Sequence, residues 1–168
     1  MKPRKIPGVL NAILFAAGLS LAAASHAAPT HKHEASATQD HGAPATLQLN
    51  AGKKWETDEA LRKAMGNIRQ GLEASLHEIH ENRLAAAGYG ALAHKVEGEV
   101  GNIVSNCKLE PKADAQLHLI VAQLLEGADQ MAGKVKKAKR QDGAVKVIGA
   151  LEKYASYFDD PHFKPIKH

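Results

Sequence analysis

The residues of this chain best suited to metal chemistry are its single cysteine, a methionine and two histidines. Cys107 supplies a thiol, Met65 a thioether, and His118 and His162 supply imidazoles. Thiolate and thioether are soft donors that select copper(I), and Cys and His bound strongly with Met bound weakly form a known type of copper site. These residue types therefore predict a copper site at Cys107 and His118, with help from Met65.

Zinc is the alternative ion for the same residues. A structural zinc site takes four nitrogen, sulfur or carboxylate donors, and His162 or Asp58 could complete a set with Cys107 and His118. Each residue also has an ordinary structural role open to it. Met65 could pack in a core, Cys107 could be a buried thiol, and His118 could be a hydrogen-bonded surface histidine.

Helices must position these residues, because apolar side chains recur along the chain at intervals of three and four. Thr57 or Asp58 can cap the first helix, Pro111 marks the turn before the third, and Gly143 is expected as a break before the fourth. Pro161 stops the fourth helix, since proline disfavours helical backbone at the residue before it. The four apolar stripes are Leu61, Met65, Ile68, Leu72, Leu76 and Ile79; Tyr89, Leu92, Val96, Val100, Ile103 and Cys107; Leu117, Ile120, Val121, Leu124, Ala128 and Met131; and Val147, Ile148, Leu151, Tyr154 and Phe158.

Short loops between four helices favour antiparallel neighbours, which predicts an all-α, up-down-up-down four-helix bundle over residues 51–160 with a tail at 161–168. This topology brings together the start of helix one, the end of helix two, the start of helix three and the end of helix four. The residues expected at that end are Trp55, Asp58, Met65, Cys107, His118, Phe158 and His162.

Other features of the helices have simpler expected roles. At the opposite end, His77, His80 and His94 stand beside charged residues and are interpreted as a solvated face. The helical glycines lower intrinsic helicity, so we expect close helix approach or bending to explain them. They are Gly66, Gly71, Gly98, Gly101, Gly127 and Gly149.

The amino-terminal segment 1–27 has the layout of a secretory signal peptide. Basic Lys2, Arg4 and Lys5 precede an apolar run over 9–24, and the small residues before Ala28 predict cleavage after Ala27. The run is short for a bilayer span, so we expect no stable membrane insertion after cleavage. The predicted location is the periplasm or the exterior.

Cleavage changes the charge and therefore the expected partners. Three of the 22 Lys and Arg residues leave with the signal, so 19 face 18 Asp and Glu residues, a net charge of +1. This near-neutral balance argues against a nucleic-acid partner. Because one cysteine cannot form an internal disulfide, Cys107 could bridge two chains as a homodimer in an oxidising compartment.

Residues 28–50 are rich in Ala, Pro, Thr and His without helical or strand periodicity, which predicts a flexible arm. His31, His33 and His41 could chelate copper, zinc or nickel, since neutral imidazole suits these ions. The alternative is a solvated linker in which the histidines have no role.

Four short segments, 47–58, 61–65, 106–111 and 114–118, resemble a family of small exported proteobacterial proteins, some of which are labelled DnrO-like. The resemblance covers most of the chain after the signal. It implies a His-rich arm ahead of a helical domain and supplies no mechanism.

The architecture also resembles the periplasmic four-helix cytochromes. The covalent class needs a Cys-x-x-Cys-His motif, which a single cysteine excludes. The b-type class has a methionine in helix one, where Met65 would correspond, but its histidine belongs in helix four, which has none here. Haem b would require His118 instead and is the second hypothesis.

Catalysis is not expected, because the chain has no Ser-His-Asp order, Gly-rich phosphate loop or His-Glu-x-x-His motif. A structural or partner-binding module without cofactor is the third hypothesis. Under this hypothesis the basic run 134–140 is a solvated turn.

Overall fold

The computed structural model describes residues 46–167, so the predicted signal peptide and the arm residues His31, His33 and His41 lie outside the described residues. The described chain is an all-α four-helix bundle, which confirms the predicted fold class. Its helices are α1 (Glu59–His80), α2 (Ala86–Asn106), α3 (Pro111–Ala132) and α4 (Arg140–Tyr157). Two short strands, β1 (Trp55–Glu56) and β2 (Phe158–Asp159), flank the bundle.

Consecutive helices pack against each other, and α4 returns to α1 to close the bundle. The predicted apolar stripes form the core because side chains spaced by three and four share one helix face. Leu76 and Val121 are partly buried, and the remaining stripe residues apart from Cys107 are buried. The most deeply buried side chains include Leu61, Met65, Ile68, Leu72, Leu117, Ile120, Leu124, Leu151 and Tyr154.

Helix boundaries follow from capping groups. The Asp58 carboxylate accepts a hydrogen bond from Leu61 N–H at 2.7 Å and so caps α1. Pro111 occupies the first turn of α3, where its missing N–H costs nothing. Gly133 ends α3 in the left-handed conformation at φ 78°, and the Arg140 guanidinium donates to the terminal carbonyl of Met131.

Gly143 lies inside α4 and is buried, so the prediction of a break at this residue was wrong. Its reason is packing: a Cβ added at Gly143 would lie 2.6 Å from Gly127 O and 2.7 Å from Met131 N. The two glycines let the backbones of α3 and α4 approach closely. Close approach thus explains Gly127.

For Gly66, Gly98, Gly101 and Gly149 close approach is not the explanation, because an added Cβ at any of them would meet no described atom within 4 Å outside its own helical turn.

Phe158 was predicted as the last residue of the fourth helical stripe, but it begins β2. Trp55 pairs with Phe158 and Glu56 with Asp159 in a parallel two-stranded arrangement. Phe158 remains buried because its ring stacks on Tyr154, with centroids 5.6 Å apart. The strand pair therefore ties the chain ahead of α1 to the chain after α4.

The segments that flank the bundle also pack against it. Leu47 contacts the core, and Gln48 N–H donates to the Gln116 side chain in α3 at 2.7 Å. Phe163 meets Tyr154 edge to face, and Ile166 is buried. Apolar side chains of the segments before β1 and after β2 therefore join the core of the bundle.

Over residues 46–167, the helices are all too short or too polar to traverse a lipid bilayer.

Candidate metal-binding end of the bundle

Asp58 connects two parts of the chain at the end where α1 begins. One carboxylate oxygen caps α1 through Leu61 N–H, and the other accepts Lys108 N–H at 2.6 Å. The Cys107 thiol also donates to this carboxylate. The start of α1 and the loop after α2 therefore meet at one charged side chain, as the bundle topology predicts.

Partial burial alone would raise the pKa of Asp58. The N–H groups of Lys108 and Leu61 and the Cys107 thiol stabilise the ionised carboxylate, and the net result is a pKa below the ordinary value of 3.8. Asp58 therefore carries a negative charge at this end of the bundle at neutral pH.

Cys107 is the residue immediately after α2 and is half-buried. The stripe of helix two predicted a fully buried position in the last helical turn, and this prediction was wrong. The helix ends at Asn106, because the backbone becomes extended at Cys107. Burial, followed by the negative charge of Asp58 and then of Asp114, raises the pKa of the thiol to about 12. The thiol is therefore protonated at neutral pH.

This environment predicts slow cysteine chemistry. We expect iodoacetamide to alkylate native Cys107 more than about tenfold more slowly than the unfolded chain at the same pH, because only the thiolate reacts. Mass spectrometry of quenched samples measures the rate. Asp58→Asn removes one of the charges that raise the pKa, so this variant should react faster. Equal rates in native and unfolded protein would contradict the burial of the thiol.

His118 lies on the outer side of α3, and its side chain is 71 % exposed. Its Nδ1 is 2.8 Å from the carbonyl oxygen of Asp114 and 3.4 Å from the Asp114 carboxylate. A carbonyl oxygen can only accept, so Nδ1 must carry the hydrogen, and a neutral ring then keeps its lone pair on Nε2. The imidazole is thus oriented with its free nitrogen available for a ligand.

Asp114 links the two predicted donors. Its charge acts on the Cys107 thiol, and its carboxylate and carbonyl hold the His118 ring. No role was predicted for Asp114 from the sequence. The four-residue spacing of Asp114 and His118, which puts both on one helix face, is the signal that could have revealed this role.

The other predicted donors lie elsewhere. Met65 is fully buried in the core. His162 is exposed, its backbone N–H donates to Asp160, and it borders a separate cleft with Arg62 and Phe163. Across residues 46–167, there is no group of three His, Cys, Asp or Glu side chains positioned to hold a metal ion.

A second cleft, of about 410 Å³, opens beside Asp58. Its lining is mostly charged and includes Lys54, Lys108 and Glu110 around the edge of Trp55. Trp55 is buried, and its indole N–H donates to Gln48 O at 2.7 Å. Trp55 therefore covers the core at this end.

At the opposite end His77, His80 and His94 are all exposed. His77 lies 3.5 Å from the Glu81 carboxylate and His94 lies 3.3 Å from the Glu97 carboxylate. These contacts confirm a solvated, charged face.

Comparison of the chain with models of protein families, with curated proteins and with solved structures gives no match. The resemblance to the DnrO-like family stays a prediction from the sequence.

Proposed function

We propose that this chain is an exported, non-catalytic metal-binding protein that takes up copper(I) through Cys107 and His118. The observation that carries the proposal is the orientation of His118. Histidines that bind metals commonly donate one ring N–H to a backbone carbonyl or carboxylate, which fixes the ring and leaves the other nitrogen free. Asp114 provides both acceptors for His118.

Copper(I) is the favoured ion because thiolate and imidazole together are a soft donor set. Binding requires the Cys107 proton to leave, so copper(I) must displace it from a thiol whose pKa burial and the Asp58 charge raise to about 12. Zinc competes for the same donors and is the alternative ion. Met65 and His162 are auxiliary donors in this proposal. Met65 is enclosed by the core, and His162 borders a different cleft.

The arm and the signal peptide complete the proposal. The segment 1–27 directs the chain to the periplasm, and His31, His33 and His41 collect divalent ions with low specificity. The mass of protein purified from the periplasm tests the predicted cleavage after Ala27. Elemental analysis of the same protein tests which metal ion it binds.

The site itself is tested by copper(I) competition against a chromogenic chelator under reducing conditions. We expect Cys107→Ser and His118→Ala each to lower the copper(I) affinity about tenfold or more, because each removes one of two donors. His94→Ala is the matched control, since His94 is also exposed and beside a carboxylate. Affinities unchanged in both variants would reject the site, whereas equal losses in His118→Ala and His94→Ala would indicate non-specific surface binding.

Haem b between Met65 and His118 does not fit this structure. Met65 lies inside the core, whereas the His118 side chain is 71 % exposed on the outer face of α3. A haem held by both residues would have to displace the core side chains that enclose Met65.

A partner-binding module without cofactor is the remaining candidate. The specific observation in its favour is exposed apolar surface on two helices, with Val104 76 % and Val145 59 % exposed. Metal-free protein in the periplasmic preparation, together with unchanged copper(I) affinity in both variants, would favour this candidate.

A further inference from the structure

The chain between α3 and α4 forms a basic loop, residues 134–139, at the end of the bundle opposite Asp58. Four of its six residues are lysines and none is acidic. The neighbouring Arg140 turns inward onto the end of α3 and is half-buried. The loop is therefore a separate surface from the proposed copper site.

Among partners within residues 46–167, acidic groups neutralise one lysine of the basic loop. Lys134 Nζ lies 2.7 Å from Glu97 and 2.9 Å from Asp129. Lys136, Lys137 and Lys139 are exposed, and none of them forms an ion pair with any residue in the range 46–167. Within the described part of the chain, three uncompensated charges thus project from one short loop.

An apolar side chain lies among these charges. Val135 is 41 % exposed and sits between Lys134 and Lys136. A soluble anion would need only the lysines. An exposed aliphatic group flanked by cations suits a surface that is both anionic and apolar, such as the headgroup region of a membrane.

The backbone of the loop is strained at a charged residue. Lys137 has φ 64°, in the left-handed region that glycine and asparagine adopt more easily. Glycine would relieve this strain, yet the position holds a lysine. Strained residues of this kind concentrate at functional sites.

We propose that the basic loop docks the protein on an anionic lipid surface, with Lys136, Lys137 and Lys139 at the level of the phosphates and Val135 in the headgroup region. Each lysine near such a surface strengthens binding about fivefold. Three lysines together therefore strengthen binding to the lipid surface about a hundredfold.

Sedimentation of the full chain with lipid vesicles tests the proposal. We expect binding to vesicles that contain phosphatidylglycerol, no binding to pure phosphatidylcholine, and loss of binding at high salt. The triple variant Lys136→Gln, Lys137→Gln, Lys139→Gln should bind about a hundredfold more weakly. The control triple Lys53→Gln, Lys63→Gln, Lys112→Gln removes the same charge from exposed sites outside the loop and should bind like the parent protein.

Two further variants separate lipid docking from general attraction to anions. Val135→Ser should weaken vesicle binding and leave binding to inorganic polyphosphate unchanged. Lys137→Gly should weaken vesicle binding while raising thermal stability, which excludes unfolding as the cause. Equal weakening by the two triple variants would overturn the proposal, and so would insensitivity of vesicle binding to Val135→Ser. Because the loop and Cys107 lie at opposite ends of the bundle, failure of one proposal does not affect the other.

Discussion

Gly143→Ala should lower the free energy of unfolding by about 3 kcal/mol. The new Cβ would lie 2.6 Å from Gly127 O and 2.7 Å from Met131 N. Both contacts are backbone atoms of α3, which cannot rotate away as a side chain could. The two helices must separate, and the core between them loses contacts. Urea denaturation followed by far-UV circular dichroism measures the loss.

A matched control lies in the same helix. Of the atoms described outside its own turn, none falls within 4 Å of a Cβ added at Gly149. Gly149→Ala should therefore stabilise the protein by about 0.5 to 1 kcal/mol, since alanine loses less backbone entropy than glycine in a helix. Glycine to alanine is thus expected to lower the free energy of unfolding at Gly143 and to raise it at Gly149. A Gly143→Ala variant as stable as the parent would contradict the close approach of α3 and α4.

Asp58→Ala should cost about 2 kcal/mol in unfolding free energy. Loss of a helix cap costs about 1 kcal/mol, and Lys108 N–H loses an acceptor in a partly buried position. Glu110→Ala is the matched control. Glu110 precedes α3 as Asp58 precedes α1, but its side chain makes no capping hydrogen bond to the described first turn of α3. Similar losses in the two variants would show that Asp58 does not join α1 to the loop after α2.

The same contacts predict a pH dependence. Because the pKa of Asp58 is lower in the folded state than its ordinary 3.8, its ionised form stabilises the fold. This contribution is complete above the unfolded-state pKa and is lost as the pH falls through the lower folded-state pKa. The stability difference between the parent protein and Asp58→Asn should therefore shrink in acid. A difference that stays constant from neutral pH to below pH 3.8 would contradict this linkage.

Much of the fold is predictable from the sequence because helix periodicity is local. Leu61, Ile68 and Leu72 share a face through their spacing alone, and Asp58 before that run is a recognisable cap. Gly143 and Phe158 were misassigned for the opposite reason. In the sequence a glycine indicates a helix break, and only the fold shows that the backbone of α3 packs directly against Gly143. Phe158 leaves the helix because it pairs with Trp55, which lies far earlier in the chain.

The sequence by itself determined the four helices, their antiparallel order, the end at which Asp58 and Cys107 meet, and the concentration of lysines in the basic loop. Only the tertiary structure decided the chemical state of the candidate donors. The protonation of Cys107 depends on Asp58 and Asp114, and the free nitrogen of His118 depends on the Asp114 carbonyl. Periodicity records which face of a helix is buried. The pKa and orientation of a side chain depend instead on groups that folding brings close, such as Asp58 and Lys108, which are 50 residues apart in the chain.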